Sequence, residues 1–173
     1  MLRTALCLAL LAGPAFAQDD APAAATPASP CAGEAHRQFD FWIGHWDVTQ
    51  NGQPAGTNHI EAIDGGCALA ENWTSANAGF TGHSLNSYDR VTGQWHQTWV
   101  DSGGTVLKLD GGLEDGAMVL SGPGLTQDGK PITNRITWTP AEDGSVRQHW
   151  EAFDGENWTT LFDGTYTRQA GAE

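Results

Sequence analysis

An all-β fold is what this sequence predicts: an up-and-down antiparallel β-barrel of about ten short strands, entered through a short helical, aromatic N-terminal plug. Three observations carry that reading. From Trp46 onward apolar and polar residues alternate with period two, and no helical stripe of any length interrupts them. Turn-forming dipeptides recur at short intervals. Ahead of the first strand, Phe39-Asp40-Phe41-Trp42-Ile43-Gly44-His45-Trp46-Asp47-Val48 crowds bulky apolar side chains around one glycine. A hairpin meander best escapes its exposed edges by closing on itself. A two-sheet sandwich is the competing arrangement of the same strands.

The plug region, His36 to Trp42, has room for one turn of helix or 3₁₀. The alternation then predicts strands at 46–51, 57–64, 67–75, 81–89, 94–101, 105–110, 117–121, 131–139, 145–153 and 157–167. Between them lie Asn51-Gly52, Asp64-Gly65-Gly66, Thr92-Gly93, Ser102-Gly103-Gly104, Asp115-Gly116, Asp128-Gly129, Asp143-Gly144 and Asp154-Gly155. Asn-Gly and Asp-Gly suit tight hairpins because glycine takes positive φ without steric cost.

The flanks read differently. Residues 1–17 have a basic start at Arg3, an apolar run too short to span a bilayer and an Ala15-Phe16-Ala17 cleavage site, the pattern of a signal peptide. Residues 18–35 form an Ala/Pro-rich tether, 36–168 the barrel domain and 169–173 a short tail. A periplasmic or secreted product is expected. Its two remaining cysteines, Cys31 and Cys67, suit one disulfide in an oxidising compartment. Loss of Arg3 leaves 7 basic against 21 acidic side chains, a formal charge of −14. So acidic a chain repels nucleic acid and anionic membranes, and no membrane insertion is expected.

Alternation also assigns faces. Leu69, Glu71 and Trp73 share one face, as do Trp95, Gln97 and Trp99. So do Ile132, Asn134, Ile136 and Trp138, then Val146, Gln148 and Trp150, and finally Trp158, Thr160, Phe162 and Tyr166. In the fourth strand Ser84, Asn86 and Tyr88 are placed inward against His83, Leu85, Ser87 and Asp89. The expected lumen is a ring of tryptophans carrying amides, with Glu71 its single charge. Buried amides need partners, and indole faces stack on apolar or aromatic bodies. A small apolar or aromatic ligand is therefore expected against Glu71, Trp73, Asn86, Tyr88, Gln97, Trp99, Asn134, Trp138, Gln148 and Trp150. A wholly structural role for these tryptophans, in an envelope protein that binds partners on its outer face, is the alternative.

Catalytic signatures are sparse. There is no GxSxG elbow, no phosphate loop and no pair of carboxylates on one face. His36, His45, His59, His83, His96 and His149 lack metal-ligand spacing, so no metal is expected. One acid–base route stays open: Glu71 in an aromatic lumen would have a raised pKa, with Tyr88 as partner.

The segment Phe39–Val48, together with Gly82-His83-Ser84-Leu85-Asn86-Ser87-Tyr88-Asp89 and Trp95-His96-Gln97-Thr98-Trp99-Val100-Asp101, resembles a family of secreted bacterial lipocalin-like proteins of unknown function. Arg135-Ile136-Thr137-Trp138-Thr139-Pro140 and Phe162-Asp163-Gly164-Thr165-Tyr166 are similar to that family's C-terminal motifs, and the likeness covers most of residues 36–168. It implies a calycin-type barrel and no particular reaction. The plug and strand count are more distantly similar to nitrobindin, a barrel that holds heme through a histidine near its C-terminal strands. Here the last strand has no histidine, and the nearest, His149, falls on the outer face, so no heme or other cofactor is expected.

Overall fold

The computed structural model describes residues 29–171, so the expected signal peptide and most of the expected tether lie outside the described residues. Ten antiparallel strands form a closed barrel: β1 Gly44–Gln50, β2 Gln53–Ile63, β3 Ala68–Ser75, β4 Thr81–Asp89, β5 Gln94–Asp101, β6 Val106–Glu114, β7 Ala117–Leu125, β8 Pro131–Pro140, β9 Val146–Phe153 and β10 Trp158–Arg168. Each strand pairs with its sequence neighbour, and β1 closes the ring against β10 from Trp46↔Arg168 to Gln50↔Gly164. Closure rules out the sandwich. Closure leaves no strand with a free edge along its whole length, which an open meander cannot arrange.

The sequence placed strand existence and order well and misjudged three lengths, the first being β2, which begins at Gln53 rather than at Thr57. β6 and β7 run on to Glu114 and Leu125, past the expected ends at 110 and 121. Gly111 and Gly122 mark close backbone approach: a Cβ there would overlap the carbonyl oxygens of Val119 and Lys108.

One end of the barrel is filled. Two 3₁₀ turns, Glu34–Arg37 and Asp40–Trp42, push Phe39 and Trp42 between the strands, where neither is exposed. Phe39 stacks on Trp42 at 4.8 Å and meets Trp95 and Trp138 edge-on at 5.7 and 5.2 Å. Offset and T-shaped contacts are what ring quadrupoles favour. Trp46 donates its indole N–H to the Trp42 carbonyl at 2.9 Å, and Trp95 donates to Gln38 Oε1 at 3.1 Å. The plug is held from behind as well. Arg37 donates to the Gly66 carbonyl, Arg168 reaches the Ile43 carbonyl at 3.0 Å, and Cys31 is bonded to Cys67 just ahead of β3. That disulfide is consistent with an extracellular or periplasmic location.

Replacing both cysteines with alanine should lower unfolding stability by about 3–4 kcal/mol, since the bond restrains a loop spanning 36 residues. Urea denaturation of the variant and of reduced protein checks this; equal midpoints for all forms would contradict it.

Candidate functional site

The strands leave the plug end with a repeated pattern of inward side chains. Glu71 precedes Trp73 by two residues on β3, Gln97 precedes Trp99 on β5, and Gln148 precedes Trp150 on β9. All three strands run from the plug toward the other end, so the lumen is layered. A polar tier lies above the plug, and an aromatic tier lies above that. Beyond them a cavity of about 850 Å³ opens at the unplugged end. Its lining includes Glu71, Gln97 and Gln148 with Trp73, Trp99, Trp150 and Phe162, and its rim includes Gln50, Pro54, Phe80, Asp101 and Leu161.

The polar tier is one hydrogen-bonded belt. Gln97 donates to Asn86 Oδ1 at 2.9 Å, Asn86 to Ser84 Oγ at 2.9 Å, and Ser84 to Glu71 Oε2 at 2.5 Å. From the other side Asn58 donates to Glu71 Oε1 at 2.8 Å and contacts the Tyr166 hydroxyl, which donates to Gln148 Oε1. Two of its donors, Asn58 and Ser84, end on the carboxylate. Gln97 Oε1 and Gln148 Nε2 take no part in it and are available to a guest. Glu71 is only 4% exposed, and burial pushes its pKa up to about 7 against the opposing pull of the Ser84 and Asn58 hydrogen bonds. Burial also drives the Tyr166 phenol well above its ordinary value, with the Glu71 charge adding to the effect.

The aromatic tier is held in place. Trp99 donates its indole N–H to Asp101 Oδ2 at 3.2 Å, Trp150 donates to Asn134 Oδ1 at 2.9 Å, and Trp73 meets Phe162 edge-on at 6.3 Å. Three rings lie against glycines: a Cβ on Gly56, Gly82 or Gly164 would overlap Trp73, Trp99 or Phe162 respectively. Side chains so restrained lose little further freedom when they bind something.

A second recess, of about 500 Å³, branches sideways and shares Leu107, Trp150 and Leu161 with the main cavity. It forms where β6 and β7 part. Their ladder runs only from Asp110↔Ser121 to Glu114↔Ala117, and beyond it lies Gly122-Pro123-Gly124, in which Pro123 has no N–H to donate.

No protein-family model matches this chain. No curated protein matches it either. The ten-stranded antiparallel barrel is consistent with a calycin-like fold, and that architecture is as far as the resemblance extends.

Of the ten residues named from sequence, Glu71, Trp73, Gln97, Trp99, Gln148 and Trp150 line the cavity, while Asn86 and Asn134 are buried partners in its hydrogen bonding. Two sit elsewhere. Trp138 is unexposed against Phe39 and Trp42, and Tyr88 packs on His36 and Trp95 at the plug end, so Tyr88 is no partner for Glu71. Trp158 and Thr160 point outward, contrary to the alternation. A register shift between Thr160 and Phe162 inverts the faces of β10, and Trp158 stands 41% exposed under the Arg135 guanidinium at 3.9 Å. His149 lies on the outer face beside Thr160 and Glu151, so the residues present do not fit a nitrobindin-like heme site. Asn58, Ser84 and Tyr166 complete the belt and were not named as site residues. Ser84 shares its face with Asn86, and Asn58 alternates with Ile60, so the pattern that would have found them was present.

Two outcomes follow from the layering. Trp138→Ala should cost about 3–5 kcal/mol, as for a packed ring, whereas Trp99→Ala, beside open space, should cost about 1–2 kcal/mol; urea melts compare them, and equal losses would mean the aromatic tier is ordinary core. Glu71 has its folded pKa above the unfolded value, so folded protein holds more protons between pH 4.5 and about 7. Stability should therefore fall as pH rises through that window, by something on the order of 3 kcal/mol. Glu71→Gln should remove this slope in denaturant midpoints measured from pH 4 to 8.5.

Proposed function

We propose that this protein is a secreted or periplasmic binding protein that takes a small hydrophobic or aromatic ligand in its lumen. The observation that carries the reading is the blind cavity of about 850 Å³, with preset indole walls over a polar floor. Apolar walls with a few convergent polar groups are the usual make-up of small-molecule sites. In this reading Trp73, Trp99 and Trp150 pack on the ligand, while Glu71, Gln97 and Gln148 orient it. The acidic chain favours neither nucleic acid nor anionic lipid as a partner.

Glu71 itself supports a second reading, general acid–base catalysis, because a carboxyl near pH 7 at a cavity floor suits proton transfer. Its immediate hydrogen-bond partners, Asn58 and Ser84, are neutral, so a catalytic site would need the substrate to bring the second reacting group.

The combined Trp99→Ala, Gln97→Ala variant should lose ligand affinity by at least about a hundredfold while keeping its far-ultraviolet dichroism. Native mass spectrometry of protein purified gently from its own periplasm supplies the ligand, and titration supplies the affinity. Unchanged affinity in a folded variant would refute the site.

A further inference from the structure

We infer that the lumen selects an organic ammonium ion borne on a compact apolar or aromatic body, with Glu71 as its counter-charge and Trp73, Trp99 and Trp150 as its walls. This rests on the ligand-binding reading above and specifies the chemistry of the guest.

The charge pattern of the cavity supports it. None of the lining residues is lysine, arginine or histidine, and the charged ones are Glu71 and Asp101. Asp101 is already committed at the rim. It accepts the backbone N–H groups of Gly103 and Thr105 at 2.9 and 3.0 Å and the Trp99 indole at 3.2 Å. Glu71 differs. Both its oxygens accept hydrogen bonds, but from the neutral Asn58 and Ser84, and among the described residues no ion pair reaches it. The nearby strands do carry cations on their outer faces, where they are paired: Arg135 with Glu151 at 3.0 Å and Arg147 with Asp163 at 2.7 Å. A buried carboxylate with hydrogen bonds but no counter-charge is expensive to ionise. A guest that brings a positive charge relieves that cost, whereas a carboxylate guest compounds it.

The aromatic tier acts in the same direction. Indole faces attract cations through the ring quadrupole, most strongly when water is excluded. The overall charge of −13 adds a long-range field that draws cations toward the protein. Facing Glu71 or joined to it through the belt are Asn58 of β2, Ser84 and Asn86 of β4, Gln97 of β5, Gln148 of β9 and Tyr166 of β10. Of these only Tyr166 titrates, and it does so far above neutrality, so the response of the floor between pH 5 and 8 belongs to Glu71.

The test uses three probes with one ring system: 2-naphthylmethyl-trimethylammonium, 2-naphthalenemethanol and 2-naphthoate, titrated calorimetrically into the mature protein at pH 8 and pH 5. The ammonium should bind about tenfold tighter than the alcohol at pH 8, and the naphthoate weakest. That preference should shrink at pH 5 as Glu71 takes a proton. It should shrink equally at pH 8 in Glu71→Gln, with affinity for the alcohol retained. If Glu71→Gln does not fold, the pH series on the unmodified protein decides. An alcohol bound as tightly as the ammonium, or a preferred naphthoate, overturns the inference and leaves ligand binding standing. Binding of none of the three overturns both.

Discussion

Everything distinctive about this barrel depends on the stacked pair Phe39 and Trp42 being driven into one end of it. A ten-stranded ring encloses more space than its own inward side chains can fill with small residues, and an open tube would admit water along its whole length. The plug removes that freedom at one end. It supplies rings that Trp95, Trp138 and Trp46 can pack against, and the disulfide, Arg37 and Arg168 hold it there. Only with that end dry does the polar belt above it become a floor rather than a leak.

The belt in turn accounts for a charge that a barrel core would ordinarily avoid. Asn58, Ser84, Asn86, Gln97, Tyr166 and Gln148 come from five of the strands that enclose the lumen, and the bonds of Asn58, Ser84, Asn86 and Gln97 lead toward Glu71. A half-satisfied set would cost more than leucines in the same positions. The belt's bonds cross between neighbouring strands and so help fix their register, with Asn58 Oδ1 left buried without a partner. It also presents a carboxyl that exchanges its proton near neutrality, directly under three indoles.

Much of this was legible in the sequence because period-two alternation is a strict code for which way a strand residue points. The inward sets on β3, β5, β8 and β9 follow it without exception. The same code failed on β10, where a register shift between Thr160 and Phe162 sends Trp158 outward; a bulge leaves no mark in hydropathy. Depth was the other blind spot. Alternation says that Trp138 and Trp99 both face inward but not which lies against the plug and which beside the cavity. That depends on strand direction and tilt, and only the assembled ring shows it. Tyr88 was lost for the same reason: it is on the correct face at the wrong height.

The closure of β1 on β10 has a kinetic meaning. Every other pairing in the ring joins strands adjacent in sequence, so each can form as a local hairpin with a short loop to close. The seam from Trp46↔Arg168 to Gln50↔Gly164 alone joins residues more than a hundred positions apart. The disulfide brackets β1, from Cys31 before it to Cys67 after it, and leaves most of that long loop unspanned. Loop entropy therefore favours forming the hairpins before the seam.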